Sequence, residues 1–345
     1  MPLARANSQP RQNPVNPAAM RCNTGLPPSE PVSACGPRPV NRFLGDPDRR
    51  RPATPAATPA ATPAATPAWK EVDDLVPRPS ASGAGAAIRV HAHWVAGPAP
   101  DPTVVLLHGL LSSGLQWRGT LTRLAGAFAL WAPDLPGFGR SGLIRMPQLL
   151  PDYADTLEAW AEQRGLRRVV LVGHSFGGMV AIDWAARHPG RVAALGLLAP
   201  VAVPHAFRVP PSFARPMTGR LLLLLVSLPY IRERFFRYVV DDVAAVPLEE
   251  RRGYARSMRR CRALLGLRDF YTFPDMRATL GAVRCPVRLG WGLRDRVLPV
   301  ADADVVEDAV PGLRAVRWPC GHSVMAERPA DGDRFIRDVV LAAAP

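Results

Sequence analysis

The sequence predicts an α/β fold: a mostly parallel central sheet flanked by helices, with an inserted helical cap. Three observations carry this. Short, continuously apolar runs recur after residue 100, with amphipathic stretches between them. A glycine-rich turn, Gly173-His174-Ser175-Phe176-Gly177-Gly178, joins one such run directly to a helical pattern. One arginine-rich stretch, residues 205–280, lacks the alternation and reads as helical. Strands buried on both faces of a parallel sheet read as unbroken apolar runs, and strand alternating with helix is how such a sheet is connected.

The first 79 residues fall outside this pattern. They hold 17 of the 39 prolines, and ATPA repeats four times in succession over residues 53–68. Proline at every fourth position removes backbone donors and blocks helix, while Ala and Thr offer little to bury. Residues 1–79 are therefore read as a disordered tail, 80–204 and 281–345 as the core, and 205–280 as the cap. The tail is rich in Arg and poor in acid, as targeting peptides are. It lacks the roughly 7–15-residue apolar stretch of a secretory signal, and its prolines oppose an amphipathic transit helix.

Within the core, Thr103–Leu107, Phe128–Ala132, Arg168–Val172, Val192–Leu198, Val287–Trp291 and Leu313–Arg317 are the expected strands. Tyr153–Arg164 gathers Ala154, Leu157 and Ala161 on one side of a helix. Met179–His188 stops before Pro189-Gly190, and Ala330–Leu341 closes the chain. Cap helices are expected at Gly219–Val226, Ile231–Val240 and Glu249–Leu267.

Composition removes several function classes. The formal charge is +14, from 43 basic and 29 acidic residues. Residues 1–68 carry a net +5 and 205–280 a net +7, which leaves only +2 for the rest. The charge is regional, and no zinc-finger, RNP or helix-turn-helix signature accompanies it, so nucleic acid is not an expected partner. The five cysteines, Cys22, Cys35, Cys261, Cys285 and Cys320, are odd in number and form no CxxC. Neither a disulfide framework nor a zinc site is expected, and a reducing, cytoplasmic location follows. No apolar run reaches the roughly 18–20 residues of a membrane span. No cofactor or metal is expected.

The chemistry centres on Ser175. G-x-S-x-G between a strand and a helix holds a nucleophile on a tight turn with its hydroxyl exposed. Its neighbours at −2 and +2 must be small, because strand and helix nearly touch. A serine needs a histidine base, and the histidine needs a carboxylate to fix its tautomer. Of seven histidines only His188, His205 and His322 follow Ser175. His188 ends the helix that starts at the nucleophile, and His205 sits where the cap begins. His322, in Cys320-Gly321-His322-Ser323, follows the last strand. The acid is Asp295, just past a strand and the Gly292 turn; the preceding strand end, Leu197–Val203, contains no acid. Asp302, Asp304 and Asp308 lie in the following helix pattern and read as solvated. The oxyanion donors are the backbone N–H of Phe176, after the nucleophile, and of Leu110, in the loop after Thr103–Leu107. His108 reads as a structural loop residue.

Four motifs thus stand in order: LLHG (106–109), DLPGFGRSG (134–142), GHSFGG (173–178), and WGLRDRVLP (291–299) with CGH (320–322). Together they resemble the α/β-hydrolase superfamily from about residue 86 to 343. The resemblance implies a Ser175–Asp295–His322 triad, a helical cap near 205–280, and the first two strands near Ala87–Val95. The nucleophile is Ser rather than the Asp of epoxide hydrolases and haloalkane dehalogenases. No HGGG loop is present, and Leu-Leu-Ser-Ser stands where the meta-cleavage hydrolases typically show Gly-Pro-Gly. Esterases, lipase-like enzymes, lactonases and perhydrolase relatives remain. The main expectation is hydrolysis of a carboxylic ester through an acyl-enzyme. The same triad acting on a C–C bond, a lactone or a peracid stays open, as does a non-catalytic binding role. The run Leu221–Val226 reads as a helix buried on the core. The alternative is an apolar lip with a basic rim that meets an acyl substrate or an anionic membrane. Oligomeric state is not legible.

Overall fold

In a computed structural model the chain is described over residues 69–77, 87–98, 102–144, 148–204, 216–265 and 273–343. The ATPA repeats and the start of the cap, 205–215, lie outside the described residues. All those described belong to the unit Thr62–Pro345.

Eight strands form one sheet: β1 (Lys70–Val76), β2 (Ile88–Val95), β3 (Thr103–Leu107), β4 (Leu130–Pro133), β5 (Val169–His174), β6 (Val192–Leu198), β7 (Val287–Gly292) and β8 (Ala315–Trp318). Their spatial order is β1-β2-β4-β3-β5-β6-β7-β8. The pairs β1/β2 and β2/β4 are antiparallel; every other pair is parallel. The inversion of β3 and β4 puts β3 and β5 side by side at the centre, so the loops after both strands open at the same edge. Every residue of β3, β5 and β6 is buried, as their unbroken apolar runs require.

Helices cover both faces. α1 (Arg118–Arg123) follows a 3-10 turn at Gly114–Trp117; α2 (Leu150–Gln163) and α3 (Phe176–Arg187) pack together. The start of α2 is fixed by Asp152, whose carboxylate accepts the Leu149 N–H at 2.8 Å. It then buries Tyr153, Leu157, Trp160 and Ala161 on one face. The insertion after β6 contains α4 (Pro216–Ser227), α5 (Pro229–Val239) and α6 (Leu248–Met258). The remaining helices are α7 (Arg277–Gly281), α8 (Ala301–Ala309), α9 (Val324–Glu327) and α10 (Pro329–Ala342). Among the described residues no helix is long and apolar enough to cross a membrane.

Three expectations need correcting. Residues 1–79 are not all outside the fold, because Lys70–Val76 is the edge strand β1. Ala87–Val95 accordingly holds one strand, β2, and not two. Charged residues hide β1 in the sequence, yet one of them anchors it. Buried Asp74 accepts the Trp160 indole N–H at 3.0 Å and two Arg164 guanidinium bonds at 2.6 and 2.5 Å. The cap run is also less buried than expected. Val226 is buried, but Leu221, Leu224 and Leu225 are exposed, as are Leu228 and Tyr230 beyond them.

Candidate active site

Ser175 stands between the end of β5 and the first residue of α3, with φ +54° and ψ −119°. A side chain held there costs about 1–3 kcal/mol, so the surroundings must hold it. They do so from both sides. Ser175 N–H donates to Leu198 O at 3.0 Å, and Ser175 O accepts from Gly178 N at 2.9 Å and Val201 N at 3.1 Å. The glycines follow from the same crossing. A Cβ at Gly173 would strike the Gly177 backbone, and one at Gly177 would strike the carbonyls of Leu107 and His108. Among the described residues the non-glycine positions with positive φ are Leu111, Ser175 and Ala199. Leu111 and Ser175 line one cavity, and Ala199 is two residues before Val201, which lines it too.

His322 lies in that cavity with Ser175. Its Nδ1 is 2.6 Å from Asp295 Oδ2, and the Asp295 side chain is fully buried. The other Asp295 oxygen accepts the N–H groups of Val297 and Leu298 at 2.8 and 2.9 Å. The carboxylate is thus aimed by its own loop before it meets the imidazole. Leu110 and Phe176 line the same cavity. Phe176 is the first residue of α3, where backbone N–H groups have no partner within the helix. The sequence-expected site residues therefore meet in one place. Asp302, read as solvated, is instead buried.

Several supporting residues escaped the sequence reading. Gln116 accepts the Gly109 N–H at 3.0 Å through Oε1 and donates to His174 Nδ1 at 2.9 Å through Nε2. His174 Nε2–H then donates to His322 O at 3.0 Å. One chain of bonds thereby joins the loop after β3, the nucleophile turn and the histidine loop. His174 is fixed as the neutral Nε2–H tautomer, with burial holding its pKa well below 6.5. His108 is spent likewise. Its Nδ1–H donates to Gly109 O at 2.8 Å and its Nε2 accepts Leu135 N–H at 2.9 Å. Burial lowers its pKa to about 4.

The insertion after β6 lines this cavity and bonds to the His322 loop. His322 N–H donates to Val239 O, at the end of α5, at 2.8 Å. Glu327 accepts Asp241 and Asp242 N–H, both at 2.9 Å, and Gly321 N–H at 3.0 Å. Asp241 pairs with Arg294 at 2.6 Å and Arg296 at 3.0 Å. The two arginines that flank Asp295 are surface residues that fasten its loop to the cap. A single local signal for these partners does not exist in the sequence, since each is an isolated polar residue.

The cavity measures about 130 Å³. Its walls include Leu110, Val201, Phe235, Tyr254 and Val297, and among the described residues no lysine, arginine or carboxylate lines it. Such a space suits an uncharged acyl group.

A model described as the alpha/beta hydrolase family matches residues 104–332. The chain belongs to this family. Hydrolase relatives are similar over most of its length. It is 30% identical over 266 residues to a pimeloyl-(acyl-carrier protein) methyl ester esterase of Aromatoleum aromaticum, covering 69% of this chain and 98% of that one. It is 26% identical over 265 residues to a monoacylglycerol lipase of Xenopus laevis, covering 70% and 76%. Among solved structures, a bacterial membrane phospholipase A superposes with a TM-score of 0.63 at 25% identity, over 80% of this chain and 86% of that one. An esterase from Thermogutta terrifontis shares the fold, with a TM-score of 0.64 at 22% identity, over 80% and 100%. This alpha/beta hydrolase is therefore placed by fold and family as a hydrolase.

Buried neutral imidazoles make its stability fall in weak acid. His108 has a folded pKa of about 4, against an ordinary histidine value of 6.5. Below pH 6.5 the unfolded chain takes up this proton and the folded chain does not. Stability from this group is complete above pH 6.5 and is lost as pH falls towards 4, by up to about 1.4 kcal/mol per pH unit. Urea unfolding between pH 7 and 5 should show that slope. His108→Gln should reduce it by about one proton's worth, and an unchanged slope would contradict the assignment.

Proposed function

We propose that the chain is a serine hydrolase that cleaves carboxylic esters through an acyl-enzyme on Ser175. The observation that carries the reading is the 2.6 Å contact of His322 Nδ1 with buried Asp295, in a cavity shared with Ser175. Asp295 holds the Nδ1–H tautomer, which leaves Nε2 free to act as base. Ser175 Oγ attacks the acyl carbon as His322 takes its proton. The negative oxygen of the tetrahedral intermediate is received by the N–H groups of Leu110 and Phe176. His322 then protonates the leaving alcohol, and Asp295 balances the imidazolium. Water, deprotonated by the same histidine, releases the acid and restores Ser175. No cofactor or metal enters these steps.

The neutral, apolar lining supports an uncharged acyl chain rather than an acidic one. The similar proteins named as a methyl ester esterase and a monoacylglycerol lipase support an ester substrate. Turnover of p-nitrophenyl esters of graded chain length tests the reading. Ser175→Ala should lower kcat by at least about 10³-fold, and Asp295→Asn by about 10⁴-fold. Unchanged turnover in the serine variant would remove the assignment.

The cap carries a second proposal, peripheral contact with a membrane. Leu221, Leu224, Leu225, Leu228 and Tyr230 are exposed on and between α4 and α5, and Arg234 and Arg237 are exposed on α5. An apolar surface bordered by arginines suits an anionic lipid interface. Co-sedimentation with anionic vesicles should exceed that with neutral ones and weaken with salt. Replacing Leu224 and Leu228 by Ser should reduce it. Equal, salt-insensitive binding to both vesicle types would argue against the contact.

A further inference from the structure

A second polar cavity, of about 610 Å³, lies on the other side of the loop after β3. One wall is the β1/β2 hairpin. Its register sets Glu71 opposite His93 and Asp73 opposite His91, and residues 91 and 93, two apart on a strand, share a face. One donor atom from each of Glu71, His91 and His93 lies within 4.8 Å of the others, and Glu71 Oε1 is 3.7 Å from His93 Nδ1. Both imidazoles are buried, at 0% and 3% exposure. His91 Nε2 and His93 Nδ1 are nonetheless without a hydrogen-bond partner. Leaving a buried ring nitrogen unpaired costs about 1–3 kcal/mol, and two such atoms beside one carboxylate need a reason.

We propose that Glu71, His91 and His93 form a binding site for a divalent transition metal, with Zn²⁺ the best match to two imidazoles and a carboxylate. The supporting contacts are those a metal site requires. Asp73 Oδ1 is 3.0 Å from His91 Nδ1, which holds the proton on Nδ1 and turns the Nε2 lone pair inwards. Arg140 donates to Glu71 Oε2 at 2.6 Å, which leaves Oε1 for the ion. Such carboxylate partners orient metal-bound side chains.

The charge around the site permits a cation. Glu71, Asp73 and buried Asp134 stand against Arg140 and Arg89, whose Nε is 4.0 Å from Asp73. Arg118, which also lines the cavity, is paired with Glu249, and the other lining arginines, Arg256 and Arg260, are exposed. The three donors must draw together by about an ångström to reach Zn–ligand distances of about 2.0–2.2 Å. Edge strand β1 and the half-exposed Glu71 side chain provide that movement. Bound metal would pin β1 to β2 beside Gly114, where a Cβ would strike the His93 ring.

The test is Zn²⁺ titration of the EDTA-stripped full chain against a chromogenic chelator, with Co²⁺ absorption as a second readout. The wild type should bind one ion at this site, show a tetrahedral Co²⁺ spectrum and unfold at a higher temperature when loaded. Glu71→Gln, at a half-exposed position that leaves the fold intact, should weaken binding tenfold or more and abolish the thermal shift. His93→Gln should do the same, while His322→Ala should bind as the wild type does, which separates this site from the active site. Absence of binding by the wild type, or undiminished affinity in Glu71→Gln, would overturn the proposal.

Discussion

The backbone at Ser175 is the constraint on which the rest of the structure depends. A residue with φ +54° at the junction of β5 and α3 points its side chain out of the sheet only if strand and helix approach almost to contact. That approach forbids side chains at 173 and 177. It also needs β3 beside β5, because the Gly177 position closes against the Leu107 and His108 carbonyls. The crossed order of β3 and β4 supplies this neighbour, and the hydrogen bonds of Ser175 to Leu198 O and from Gly178 and Val201 N–H offset the strain. The unfavourable conformation is thus held by the most deeply buried part of the sheet.

The second layer of organisation comes from the cap. The Asp295 and His322 loops follow different strands and must be held together for their side chains to meet. Here the end of α5 does this, through Val239 O to the His322 backbone, through Glu327 to Asp241 and Asp242, and through Asp241 to both arginines beside Asp295. The Arg294 and Arg296 side chains are about half exposed or more, so each pair alone contributes little. Their shared carboxylate and the buried backbone bonds make the clamp specific. The cap's part in this clamp is an acid, Asp241, met by two arginines of the core, and among the described residues no charged side chain lines the cavity.

What could be read from the sequence was whatever depends on local chain geometry. The glycine turn around Ser175, the turn after β7 that presents Asp295, and the loop after β8 that carries His322 all follow from a strand run and the small residues beside it. β1 was illegible for the opposite reason. Of its inward positions Val72, Asp74 and Val76, the middle one carries a charge, satisfied from α2 and its end by Trp160 and Arg164, and this breaks the apolar alternation. The Glu71, His91 and His93 cluster was hidden for the same reason, since Glu71 falls in a stretch that composition assigns to the tail. Gln116 and Glu327 were illegible because a side chain that joins its own loop to a segment distant in sequence has no signature in either.

The central claim is that Ser175 is the activated nucleophile of this alpha/beta hydrolase. The most direct measurement is peptide mapping by mass spectrometry after reaction with a fluorophosphonate. The account predicts one covalent adduct per chain, on Ser175. An unmodified Ser175, or an adduct on another residue while ester turnover persists, would contradict it.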